Sequence, residues 1–147
     1  MIEMPDVNVL IALFDGKHVH HKIAEAWFSN VSESGWATCP LSENGFIRIV
    51  STPNFNLGMS VSQVTTALRL LIADSKEEHH FWADDISLRD EDMFLMDIVQ
   101  GYRQLTDLYL LGLCQKYKAQ FVTLDLGIGN TSYALVNAHT NLINILR

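Results

Sequence analysis

The chain has 147 residues, 48% of them apolar and 18% charged, with a formal net charge of −7. That length suits one domain, residues 1–147, with a proper hydrophobic core, and the balance of residue types is that of an ordinary globular protein. The charge has the wrong sign for a broad grip on phosphate backbones, and no apolar run approaches the roughly 20 residues of a membrane span.

Asp6 and Asp15 bracket the apolar run nearest the start, which does not read as a secretory signal, so a cytoplasmic protein is expected. Cys39 and Cys114 both lie in apolar contexts and read as reduced core thiols.

In chain order, IEMPDVN reads as a short first strand, followed by a helical segment from Val9 to Phe14. HVHHKIAEAWFSNV places Ile23, Ala26, Trp27 and Val31 at helical spacing. GWATCP is a short strand closed by Pro40. PLSENGFIRIVST is a helix with Pro40 in its first turn, where the missing N–H costs nothing, and Pro53 beyond its end. SVSQVTTALRLLIAD is an amphipathic helix capped by Ser60 or Ser62. EDMFLMDIVQG reads as helical up to Gly101, and TDLYLLGLCQKYKA as a strongly apolar helix with Thr106 as its N-cap. QFVTLD is a continuous apolar strand and TNLINIL a last one. This alternation predicts α/β architecture with a mostly parallel sheet covered on both faces. In such sheets, ligands bind at the carboxyl ends of the strands, where strand order reverses.

Asp6 sits inside the apolar stretch MPDVNVLIALF, although taking a carboxylate out of water costs several kcal/mol unless it is paired or binds a metal. Asp6 ends the first strand and Asp125 ends FVTLD, so both fall at the same sheet edge. Glu43 and Asp107 lie in the first turns of helices that begin near that edge. Four carboxylates are therefore expected to converge on one pocket. At about 4 Å and an effective dielectric near 20, each like-charge pair costs roughly 4 kcal/mol, and helix N-termini offset only about 0.3–1 kcal/mol apiece. Either some of these groups stay protonated or divalent cations sit among them. Oxygen-only ligands select hard ions, Mg²⁺ or Mn²⁺, which activate a water and clamp a phosphodiester.

At these residues the chain resembles the PIN-domain family, and within it the VapC-type toxins of toxin–antitoxin pairs. The resemblance is carried by PDVNVLIALF, HVHH with AWF, GWATCPLSENGFIRIV, FWADDISL, RQLTDLYLLGL and FVTLD, nearly the whole length. It implies a three-layer α/β/α sandwich, Mg²⁺- or Mn²⁺-dependent endoribonuclease activity on RNA, inhibition by a small antitoxin, and a homodimer. Asp6, Glu43, Asp107 and Asp125 match the family's acidic quartet, with Asp6 and Asp107 most closely tied to metal. Asn8, Thr106 and Thr123 are then hydrogen-bond partners that orient these carboxylates. Where the family often carries a further polar or acidic residue after the last Asp, DLGIGN follows here, and Gly127 and Gly129 suggest a mobile loop at the pocket rim. The mechanism implied is attack by a metal-activated water, with Asp6 and Asp107 on the principal ion, Glu43 reaching it through water or orienting the nucleophile, and Asp125 completing a weaker second site. A basic side chain of the antitoxin would block the pocket.

The histidines 18, 20 and 21 lack the i, i+4 spacing of a helical zinc pair and read as structural or surface residues, as do His79 and His80. Arg48 and Arg103 are candidates for contact with substrate phosphate, with a structural ion pair as the alternative. Trp27, Trp36 and Trp82 read as core or dimer-interface aromatics, and TALRLLIA as facing either the core or a second subunit. Two other functions compete: a PIN-like binding module without catalysis, and a Mg²⁺-dependent phosphatase. The phosphatase usually needs a paired Asp-x-Asp, where this chain has Asp6-Val7-Asn8.

Overall fold

The alternation of short apolar runs with amphipathic segments resolves into helices packed on both faces of a sheet. The structure, a computed structural model, describes residues 1–31 and 34–147, with Lys76 described by its backbone alone. Five strands, β1 (Glu3–Pro5), β2 (Trp36–Thr38), β3 (His79–Phe81), β4 (Gln120–Thr123) and β5 (Ile143–Ile145), form one sheet in the order β3-β2-β1-β4-β5. Every pairing is parallel. The helices are α1 (Val7–Phe14), α2 (His21–Asn30), α3 (Pro40–Val50), α4 (Val61–Ser75), α5 (Leu105–Tyr117) and α6 (Ile128–Ser132). The architecture is that of a PIN-like three-layer sandwich.

Period-two alternation in the strands decides the layers. Met4, Ala37 and Phe121 point into a core shared with α5 and with Trp82 and Phe94. Trp36 and Val122 point into the opposite core, against α1, α2, α3 and α4, where Leu10, Trp27, Phe46 and Leu68 meet. Both cysteines are buried and free. The three tryptophans are buried core residues, none placed to stack on a base.

Several boundaries differ from the sequence reading. The first strand stops at Pro5, and Asp6 is the N-cap of α1, so Val7 and Asn8 belong to a helix. Residues 90–101 form no α-helix. Asp90 turns the chain through its side chain, accepting from the Asp92 N–H at 2.9 Å, which competes with helical bonding. The Leu95 N–H then donates to Ala134 O, and Met93 O accepts from the Val136 N–H. With these groups claimed by a neighbouring segment, only a single 3₁₀ turn forms, Met96–Ile98. Another 3₁₀ turn, Tyr102–Gln104, leads into α5, which starts at Leu105. Thr106 therefore lies inside the helix rather than capping it. Of the two serines offered as caps for α4, Ser60 serves: its Oγ accepts from Gln63 N–H while its own N–H donates to Gln63 Oε1. In the DLGIGN segment Asp125–Gly127 form a turn, and Ile128–Asn130 begin the short helix α6. Strand β3 had no sequence signal, because its histidines read as polar surface.

Gly112 makes α5 fit its neighbour. A Cβ at this position would overlap the Phe94 ring, so glycine lets that buried aromatic press on the helix backbone. At Gly35, by contrast, the requirement is conformational: φ is +83°, in the turn that feeds β2.

Candidate active site at the strand switch point

The chain runs outward from β1 through β2 to β3, then returns to the other side of β1 as β4 and β5. Strand order reverses between β1 and β4, and in sheets of this kind ligands bind at the carboxyl ends of the strands beside that reversal. Asp6 follows β1 directly and Asp125 follows β4.

Asp6 is 3% exposed. Its Oδ1 accepts from Val9 N–H at 2.7 Å, the bond that caps α1. Its Oδ2 accepts from the Thr123 hydroxyl at 2.6 Å. Burial pushes its pKa up to about 7; both hydrogen bonds work against that rise, and the charges of Asp107 and Asp125 add to it. Asp107, in the first turn of α5, is raised to about 6, by burial first and then by Asp125. Thr123, the last residue of β4, accepts from the Asp125 N–H at 3.0 Å while donating to Asp6. Asp125 in turn accepts from the Gly127 N–H at 2.8 Å, the turn that starts α6.

Glu43 stands to one side of this trio, in the first turn of α3 behind β2. The helix start is fixed by Pro40, by Cys39 N–H donating to Ser42 Oγ at 3.0 Å, and by Leu41 N–H donating to Asp84 at 2.9 Å. Glu43 Oε2 accepts from the Thr38 hydroxyl at 2.6 Å, and Thr38 Oγ1 also lies 2.8 Å from His79 Nε2. His79 is half-buried on β3, and burial lowers its pKa to about 4, so its ring is neutral near pH 7.

Asp107 and Asp125 are thus close enough to raise the pKa of Asp6, and Asp125 that of Asp107, while Glu43 does not enter either shift. Among the described residues, no three carboxylate, imidazole or thiolate side chains make a ready-formed cage for a metal ion. Asn8 and Thr106 are both exposed, and no hydrogen bond joins them to the acidic residues. Arg48 and Arg103 are exposed as well. Neither forms an ion pair among the described residues, which removes the structural alternative raised for them. Arg103 instead lies over the Tyr102 ring. His18 accepts from His20 N–H, and His21 bonds Ala12 O and Glu25, consistent with structural roles. The Thr38–His79 pair is what the sequence reading missed; a threonine at the end of β2, matching Thr123 at the end of β4, was the available signal.

The donor set suits a hard divalent cation. The three aspartates offer only oxygen, and among the described residues no lysine or arginine pairs with any of them.

A parallel sheet sandwiched by helices, with carboxylates set around its switch point, defines a PIN-like α/β protein. No protein-family model matches the chain. It is 37% identical over 142 residues to Ribonuclease VapC38 of Mycobacterium tuberculosis (strain ATCC 25618 / H37Rv), covering 96% of this chain and 97% of that protein. Ribonuclease VapC39 of the CDC 1551 / Oshkosh strain is 38% identical over 139 residues, covering 91% and 96%. Ribonuclease VapC44 of that strain is 37% identical over 127 residues, covering 86% and 88%. The chain belongs to the VapC family of ribonucleases.

Proposed function

We propose that the protein is the toxin of a toxin–antitoxin pair, an endoribonuclease that hydrolyses RNA phosphodiesters with Mg²⁺ or Mn²⁺. The observation that carries this reading is Asp6: a carboxylate buried at the switch point, with two further carboxylates acting on it and, among the described residues, no cation paired to it. Capping α1 and accepting from Thr123 offset only part of the cost of burying this carboxylate, since its pKa still rises to about 7, and a bound cation would offset the rest.

Asp6 and Asp107 would hold the ion, with Asp125 contributing once substrate is present. When bound, the ion supplies the positive charge that offsets the scissile phosphate and favours ionisation of the attacking water. Glu43, anchored through one carboxylate oxygen, offers the other to orient that water. Thr123 fixes the direction of Asp6 and ties it to Asp125. Arg48 and Arg103 remain candidates to meet substrate phosphates. A small antitoxin would block the site by placing a basic side chain among the carboxylates. A homodimer rests on the family resemblance alone. Among the described residues no helix is long and apolar enough to cross a membrane, and RNA as substrate supports a cytoplasmic location.

The test is cleavage of total cellular RNA by the purified protein, with Mn²⁺ or Mg²⁺ added after chelation, followed by mapping of the ends. Cleavage that returns with the metal and disappears in Asp6→Asn and Asp107→Asn supports the reading. Undiminished cleavage by Asp6→Asn overturns it.

A further inference from the structure

We propose that His79 is a positioning residue: through the Thr38 hydroxyl, the edge strand β3 fixes where the Glu43 carboxylate points. The inference rests on reading Glu43 as part of the active site.

The argument starts from proton counting. Thr38 Oγ1 carries one hydrogen and has two polar partners, Glu43 Oε2 at 2.6 Å and His79 Nε2 at 2.8 Å. An ionised carboxylate only accepts, so the hydroxyl hydrogen goes to Glu43. His79 Nε2 must then be the donor, which defines its tautomer as Nε2–H. The result is a directed chain from β3 through β2 to α3. Thr38 is fully buried, so its hydroxyl has no solvent to exchange with.

The same device occurs at the end of β4. Thr123 Oγ1 also donates to a carboxylate, Asp6, at 2.6 Å, and is also held from behind by an N–H. There the N–H is the backbone of Asp125; at Thr38 the imidazole takes that place. Two threonines, each the last residue of its strand, thus aim two of the acidic side chains. The imidazole is itself held edge-on against the buried Trp36, with centroids 4.7 Å apart and planes at 66°. Trp36 and His79 are also register partners between β2 and β3. Glu43 is only half-buried and lies on the first turn of its helix. Without the anchored oxygen it would sample several rotamers, and the free oxygen would lose its fixed direction.

Two pairs of variants separate this role from packing. His79→Gln keeps a donor that reaches the same place as Nε2, whereas His79→Phe keeps the ring against Trp36 and loses the donor. Thr38→Ser keeps the hydroxyl, and Thr38→Val keeps the shape without it. RNA cleavage is measured at saturating Mn²⁺ with kcat and KM resolved. Imidazole ¹H–¹⁵N spectra of the metal-free protein read the tautomer independently of activity. We expect His79→Phe and Thr38→Val to lose about 10–100-fold in kcat, with KM changed less than about twofold. The Gln and Ser variants should stay within a few-fold of the parent. The Phe/Val double variant should fall no further than the worse single one, because both break one chain. The spectrum should show Nε2–H at His79. Greater activity in His79→Phe than in His79→Gln, or an Nδ1–H tautomer, overturns the proposal. Glu43→Gln separates the levels. If it is inactive while His79→Phe and Thr38→Val run at the parental rate, the positioning role alone falls. If it cleaves at the parental rate, the reading of Glu43 falls, and the relay with it.

Discussion

Asp6 is pulled in two directions: Val9 N–H and the Thr123 hydroxyl favour its ionised form, while burial and the neighbouring carboxylates oppose it and prevail, at about 7. The consequence is a stability that depends on pH. In metal-free protein, between the unfolded value of 3.8 and about 7, the folded state keeps a proton that the unfolded chain has lost. Stability is therefore complete at the acid end, declines as pH rises through that window, and levels off above it, an effect of at most about 4 kcal/mol for this group. Asp107 adds the same sign up to about pH 6. Urea unfolding of chelated protein across pH 4–8 should show that decline, and Asp6→Asn should flatten part of it; an equal slope in both proteins would falsify the assignment. Thr123 serves two acidic residues with one hydroxyl. Thr123→Val should cost about 1–3 kcal/mol of stability and 10–100-fold in cleavage, with Thr123→Ser near the parent.

At the scale of elements, α5 matters most, because it carries Asp107 and is buried on several sides, from Leu108 through Cys114. Its position depends on the fit between Gly112 and Phe94. Gly112→Ala gains about 1 kcal/mol in helix propensity but forces two buried groups apart, a cost of about 1–3 kcal/mol or more. We expect a net loss in chemical denaturation, recovered in part by adding Phe94→Leu, which shortens the opposing side chain. A stabilised Gly112→Ala protein would show that the ring moves aside freely.

At the scale of the whole molecule, the net charge of −7 and the acidic crevice act together. A protein that grips RNA through many basic contacts loses about 10³–10⁵ in affinity between 50 and 200 mM salt. With ten lysines and arginines against seventeen acids, kcat/KM of this protein should fall by less than about tenfold over that range. Divalent cation should have a larger effect than salt. Mn²⁺ at saturation should raise the melting temperature of the chelated parent by several degrees and that of Asp6→Asn much less, since a ligand that binds only the folded state stabilises it. Equal shifts in both proteins would count against Asp6 as a ligand.

The primary structure by itself determined the α/β class, both apolar layers and the odd placement of Asp6, because hydrophobic periodicity and an isolated buried charge are local signals. It also determined the start of α3, where Pro40 acts on its own turn, and narrowed that of α4 to Ser60 or Ser62, of which Ser60 caps. Only the tertiary structure decided that residues 90–101 give up a helix to bond with 134–136 and that His79 lies on a strand behind Thr38. Those outcomes turn on partners 40 or so residues away, such as Thr38 and His79 at a separation of 41. A hydrogen bond between distant segments leaves no periodicity in either, so the pairing exists only once the sheet has brought them together.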